Sequence, residues 1–307
     1  MNHIDVHLPD MLGMRGYYRA VLRNPDESIA YDSGWERNLI TTFGISKYAL
    51  QVNFANWNTY CHIGSSGTAP SIANTTLGTW LAQQSTTQPG STKGNYGVGG
   101  DYGHWSVATY RFGAGVATDT IREMGMGFNS SNPSYIFSRH VLTVPIVKAA
   151  NQSLDVSYKF EVYPSLIAVG GTVTIGGVSY TTSTSMYNVQ SAAYDIFQRF
   201  TIATAGTNQR VYDGTPSALT GTTPTGNQDL GTSASQNNFT ANSFDHSSFF
   251  GLNDGNTATN QIRVATLFSF LGFYFQTQFL DGSGNGIPKT PEFELTLNWR
   301  LTWGARP

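Results

Sequence analysis

A single cysteine, Cys61, is all the thiol chemistry the sequence offers. It excludes an intramolecular disulfide and a cysteine-clustered metal site, and its expected role is that of a small buried hydrophobe. Charge is equally scarce: Asp, Glu, Lys and Arg make up 12% of the 307 residues, against roughly 25% in ordinary soluble domains. The 17 basic and 19 acidic residues leave a net charge of -2, so no cationic excess draws the chain to a phosphate backbone, and nucleic acid is not an expected partner. Long apolar runs are missing too. The richest stretch, Leu267 to Leu280, carries Ser269, Gln276, Thr277 and Gln278 and falls short of the roughly 20 apolar residues of a membrane helix, so no membrane is expected as a partner. The first residues, Met1-Asn-His-Ile-Asp-Val-His7, hold neither the basic nor the apolar region of a secretory signal. The expectation is a protein made in a cytoplasm that stays soluble or assembles there.

What the chain has instead is glycine, 33 residues, aromatics at 13%, and abundant Thr, Ser and Asn. That composition reads as all-β. With so few charges, apolar surface is expected to be covered by neighbours, which points to a homo-oligomer.

Patterning supports strands along most of the chain. Tyr17 to Arg23 and Ile29 to Trp35 flank the turn Asn24-Pro-Asp-Glu27 and read as a hairpin. A short run, Asn58 to Ile63, stops at the loop Gly64-Ser-Ser-Gly-Thr-Ala-Pro70, after which Thr75 or Thr76 is placed to cap a brief helix through Leu77, Trp80 and Leu81. Gln88 to Gly103 reads as a long polar loop. Strands are expected at Trp105 to Phe112, Thr120 to Phe128 and Tyr135 to Val144, with turns at Gly113-Ala-Gly115 and Asn129-Ser-Ser-Asn-Pro133. From Leu154 to Val162, Leu154, Val156, Tyr158, Phe160 and Val162 alternate with Asp155, Ser157, Lys159 and Glu161, the signature of half-buried antiparallel sheet. Thr172 to Ile175, Gly176-Gly177 and Val178 to Tyr180 read as a two-residue hairpin. Ala205 to Gln261 is poor in aliphatics and reads as an extended loop, ordered by neighbours if at all. Phe293, Leu295, Leu297, Trp299, Leu301 and Trp303 alternate with polar residues, and the expected partner of this last strand is Arg263 to Phe279.

The resulting organisation is an N-terminal arm (1–16), a β-sandwich core (17–204), a polar insertion (205–262) and a C-terminal β-hairpin (263–307) packed on the core. One or two short helices are allowed for.

Candidate chemistry is sparse. Asp281-Gly-Ser-Gly-Asn-Gly-Ile-Pro-Lys-Thr-Pro-Glu292 matches a calcium-loop template at positions 1, 3, 5, 6 and 12, but Ser283, Lys289, two prolines and strand-like flanks favour a glycine-rich turn. His3, Asp5 and His7 share a face if extended, a composition suited to a metal, yet in a terminal arm. His62, His104, His140 and His246 stand singly and read as core or surface histidines. Gly64-Ser-Ser-Gly67 lacks the spacing of a nucleophile elbow, and Gly97-Val-Gly99-Gly100 lacks the third glycine of a dinucleotide fingerprint. No acidic pair stands in a diagnostic setting for glycoside hydrolysis. Trp35, Trp57, Trp80, Trp105, Tyr96 and Tyr102 suit subunit contacts or core, with sugar stacking as the alternative. No catalytic, cofactor-binding or metal-binding residue is assigned, and no enzyme is expected.

Four segments carry a resemblance. They are Ser33-Gly-Trp35 followed by Asn38-Leu-Ile-Thr-Thr-Phe-Gly44, His62 to Pro70 running into Thr75 to Leu81, Tyr110-Arg-Phe-Gly-Ala-Gly115, and Ile121-Arg-Glu-Met-Gly-Met-Gly127. In this order they resemble tail- or neck-associated structural proteins of tailed bacteriophages, over about half of the chain, Tyr17 to Val162. The resemblance implies a virion subunit of the tail or neck (collar, fibre or adaptor), assembled in the host cytoplasm from copies of itself and other virion proteins, without catalysis or cofactor. A host-receptor or carbohydrate-binding module of a fibre or spike, with a host-surface glycan as partner, is the alternative.

Overall fold

The computed structural model of the chain describes residues 2–50, 59–85, 92–98, 101–127, 135–189, 209–219, 223–230, 237–240, 242–270 and 273–305. In chain order the elements are β1 (Asn2–Arg23), β2 (Ile29–Asp32), β3 (Glu36–Arg37), β4 (Leu39–Ile40), α1 (Thr42–Leu50), β5 (Tyr60–Gly64), β6 (Trp80–Gln84) and β7 (Thr92–Val98). There follow β8 (Asp101–Phe112), β9 (Thr120–Gly127), β10 (Ile136–Val147), β11 (Ser153–Pro164), β12 (Val169–Ile175), β13 (Val178–Val189), β14 (Arg210–Tyr212) and β15 (Gln228–Leu230). The last are β16 (Asn237–Thr240), β17 (Ser243–Phe250), β18 (Gln261–Ile262), β19 (Val264–Phe270), β20 (Phe273–Leu280), β21 (Ile287–Pro288) and β22 (Leu295–Ala305). The chain is all-β and sandwich-like, with one short helix among the described residues.

A nine-stranded sheet runs β16-β17-β22-β1-β11-β8-β7, with β2 and β3 also paired to β1; a five-stranded sheet runs β4-β10-β9-β5-β6 and a six-stranded one β12-β13-β20-β19-β14-β15. Alternation explains the central strand β11: Leu154, Val156, Tyr158, Phe160 and Val162 are all fully buried. They meet the five-stranded sheet, where Phe137 stands edge-on to Phe160 at 5.5 Å and the Tyr18 hydroxyl lies 3.1 Å from Ser138 Oγ. The six-stranded sheet joins the core through Phe273, whose ring packs 5.0 Å from His104.

Two hairpins form as their sequences predict. β1 pairs β2 across Asn24 to Ser28. β12 and β13 close on Ile175 opposite Val178, with Gly176 and Gly177 at φ 57° and 82°, the left-handed conformation a primed turn demands.

Elsewhere the structure differs. Residues 2–16 are no arm: they belong to β1, where Ile4 and Val6 are buried between exposed His3, Asp5 and His7, and they pair in parallel with β22 from Asn2↔Leu295 to Leu8↔Leu301. The expected C-terminal hairpin is absent, because β20 pairs with β13 and β19 while β22 lies between β1 and β17. Phe293 stays 49% exposed, outside that strand. The stretch from 88 to 103 contains β7, paired with β8 from Thr92↔Val107 to Val98↔Asp101. Residues 205–262 are likewise no simple insertion. β17 alternates Phe244, His246, Ser248 and Phe250, all buried, with part-exposed Asp245, Ser247 and Phe249; neutral polar residues hide this pattern from an aliphatic count. The turn expected at 129–133 and residue Trp57 lie outside the described residues.

The helix is misplaced too. Residues 75–79 form no helix because Gly78 and Thr79 give their amides to Glu123, and Trp80 begins β6. The helix is α1, whose N-cap is Thr41: its Oγ1 accepts from the Gly44 amide at 2.9 Å and donates to the Ile136 carbonyl at 2.7 Å. Gly44 is required by proximity, since a Cβ there would collide with the Phe137 carbonyl. Thr41→Ala is expected to cost about 2 kcal/mol, measured by urea unfolding, with faster hydrogen exchange at the Gly44 amide.

Candidate functional site

Three places bring functional groups together. On the outer face of the nine-stranded sheet, β1, β22 and β17 form a groove of about 530 Å³ lined by Asp5, His7, Asp245, Ser247, Asn298 and Arg300. Register builds it: Asp5, Asn298 and Ser247 lie side by side, as do His7, Arg300 and Asp245. Asn298 Nδ2 donates to Asp5 at 2.8 Å, Ser247 donates to Asn298 Oδ1 at 2.8 Å, and Arg300 forks onto Asp245 at 2.7 and 2.9 Å. The carboxylate of Asp245, with Asp5 behind it, raises the Arg300 pKa. Arg300 is more than half exposed, so the pair adds little stability. The groove offers hydrogen-bond donors and acceptors rather than an activated nucleophile.

His3, Asp5 and His7 do share an exposed face, but Asp5 is held by Asn298. Among the described residues no three His, Cys, Asp or Glu side chains stand close enough to hold a metal ion. In the Asp281 to Glu292 loop, the Asp281 carboxylate accepts the Ser283 and Asn285 amides at 2.8 Å each, bonds that lower its pKa, Asn285 first. Lys289, 1% exposed, donates to Asn256 Oδ1 and the Thr290 carbonyl, and burial lowers its pKa. The carboxylate and the buried ammonium thus serve the turn itself. His62 accepts from the Trp80 indole at 3.3 Å, His140 sits 3.2 Å from Glu36, and His246 lies 3.3 Å from Ser248. All four single histidines are buried.

A second cluster is missed by sequence reasoning. Glu123, fully buried, accepts from Arg139 Nε at 2.9 Å and from the amides of Ser66, Gly78 and Thr79 at 3.2, 3.0 and 2.8 Å. Arg139, 2% exposed, also donates to the Thr68 carbonyl and Asn74 Oδ1 at 3.0 Å each. The pair staples the 65–79 loop to the five-stranded sheet. Three of the four segments that carry the phage resemblance meet here, since Leu39 pairs with Arg139 across β4 and β10. The one legible signal is Glu123 itself, a carboxylate two residues from Ile121 in a strand, at a position that alternation assigns to the core.

The chain matches no family model, no curated protein and no solved structure.

The third feature is an edge. Among the described residues the six-stranded sheet ends at β12, seven residues whose one paired neighbour is β13. Gly170, Gly171, Thr172 and Thr174 are exposed, and no charged residue occurs between Glu161 and Asp195. Natural edges of this length are usually guarded by lysine, proline or a bulge; β12 has none of them. Leu166, Ile167 and Val178, 43%, 77% and 43% exposed, flank it. Of the aromatics singled out in the sequence, Trp35 and Trp80 are exposed while Tyr102 and Trp105 are half-buried.

Proposed function

We propose that this chain is a structural component of a tailed bacteriophage virion, a tail or neck subunit that acts by oligomeric assembly. The observation that carries the assembly reading is the edge of β12, unguarded among the described residues, with its exposed aliphatic flanks, a surface that gains hydrogen bonds and buries apolar area when another chain covers it. The virion assignment rests on the four resembling segments. Purified protein is expected to run as an oligomer in mass photometry, and antibody raised against it to decorate tails or necks of intact particles in electron micrographs. A stable monomer that labels no particle sinks the reading.

A second reading is favoured by the groove at Asp5, Asn298 and Arg300, whose alternating donors and acceptors suit sugar hydroxyls. It makes the chain a host-receptor or carbohydrate-binding module of a fibre or spike. Adsorption of labelled protein to host cells or a glycan array separates this reading from pure assembly.

A further inference from the structure

We infer that two copies of the chain join through β12, edge to edge and antiparallel, about a two-fold axis at Thr172. This rests on the assembly reading and names its contact. The two-residue turn closes on the pair Ile175 and Val178, and in such a hairpin the closing pair exchanges hydrogen bonds. Alternation then directs the backbone groups of Val169, Gly171, Val173 and Ile175 toward β13, and those of Gly170, Thr172 and Thr174 toward the open side.

A second copy of the same edge satisfies these groups in one register. Thr172 faces its own counterpart, and Gly170 of each copy faces Thr174 of the other. Residues that reach outward meet residues that reach outward, and about six inter-chain hydrogen bonds form. Side chains fit as well, because each glycine is opposed by a β-branched residue: Gly170 by Thr174, Gly171 by Val173. The exposed Leu166 and Ile167 of one copy are brought to the turn of the other, beside its exposed Val178. No charge lies between Glu161 and Asp195 to oppose the approach. The contact is self-complementary, as a two-fold interface must be.

Thr172→Cys tests the register. Cα atoms of a hydrogen-bonded antiparallel pair lie about 5.5 Å apart, within disulfide reach, and the native Cys61 is buried. Mild oxidation of the full chain is expected to give a band at twice 33.4 kDa on a non-reducing gel. Thr174→Cys, whose counterpart is Gly170, is expected to give none. Thr172→Asp sets two carboxylates face to face and is expected to weaken association about tenfold or more, with an unchanged far-UV circular dichroism spectrum because the side chain is exposed, and with a melting temperature lowered only by the share that association contributes. If the wild type is oligomeric, yet Thr172→Asp leaves its mass unchanged and Thr172→Cys does not cross-link, the β12 contact is overturned while the assembly reading stands. A wild type that is monomeric at every concentration and joins no particle overturns both.

Discussion

Arg139→Ala is expected to lower folding stability by about 3–5 kcal/mol, the largest loss from any single exchange described for this chain. Removing the guanidinium leaves the Glu123 carboxylate fully buried without its counter-charge, and that is far costlier than the loss of one hydrogen bond. The amides of Ser66, Gly78 and Thr79 remain as donors, so the loss stays at the scale of a broken buried pair. The double exchange Glu123→Gln with Arg139→Met is expected to recover a large part of it, because neither side then buries an unpaired charge. Urea unfolding monitored by tryptophan fluorescence measures both, and the 65–79 loop is expected to become the preferred site of limited proteolysis in the single variant. A loss below about 1 kcal/mol removes the staple from the account.

Acid is expected to destabilise the protein nearly as strongly, and well before the carboxylates titrate. Burial depresses His104 and His246 to about 4 and lowers His140 as well. An unfolded histidine titrates near 6.5, so between pH 6.5 and 4 the unfolded chain binds more protons than the folded one. The stability contributed by these neutral imidazoles is complete above pH 6.5 and is lost as pH falls through that window. Two groups depressed this far each withdraw about 3 kcal/mol by pH 4, a substantial share of the 5–15 kcal/mol that holds a typical domain together. Asp155, bonded to Arg111 and Arg23, is depressed despite its burial, and Asp32, beside Arg19, lies at about 2. Their contributions are retained above the ordinary carboxylate range and are lost only below it. Unfolding free energies at pH 7, 6, 5 and 4 are expected to fall steadily, and His246→Gln to flatten the curve by about one histidine's share. Stability that is level down to pH 4 contradicts this account.

Local pattern made much of the fold legible, but pairing across long distances was not. The alternation in β11 and β22 follows from which side chains face the core, and the glycine pair after Ile175 fixes its hairpin by backbone conformation alone. Nothing in the alternation of Leu295 to Trp303 says that its neighbours are residues 2–14 and 243–250 rather than the nearer strand β20, because a half-buried face accepts any partner that completes it. The helix is hidden from the sequence for a related reason. Thr75 and Thr76 look like caps, but a buried carboxylate more than forty residues away claims the amides that a helix would use. Thr41 does cap, in a segment whose Gly44 weakens helix propensity and is explained only by the closeness of Phe137. The groove is half visible in the sequence: the spacing of His3, Asp5 and His7 puts them on one face of a strand, while Arg300 and Asp245 reach them only through the parallel pairing of β22 with β1 and its antiparallel pairing with β17.

That parallel pairing sets a timetable. Asp5 and Asn298 are bonded across 293 positions of chain, and at the usual 5–20 residues per second a ribosome takes about 15–60 s to travel from one to the other. Throughout that interval residues 2–8 lack their β22 partner, and one margin of β1 stands unzipped. The large sheet is thus sealed only when translation has delivered the strand that begins at Leu295.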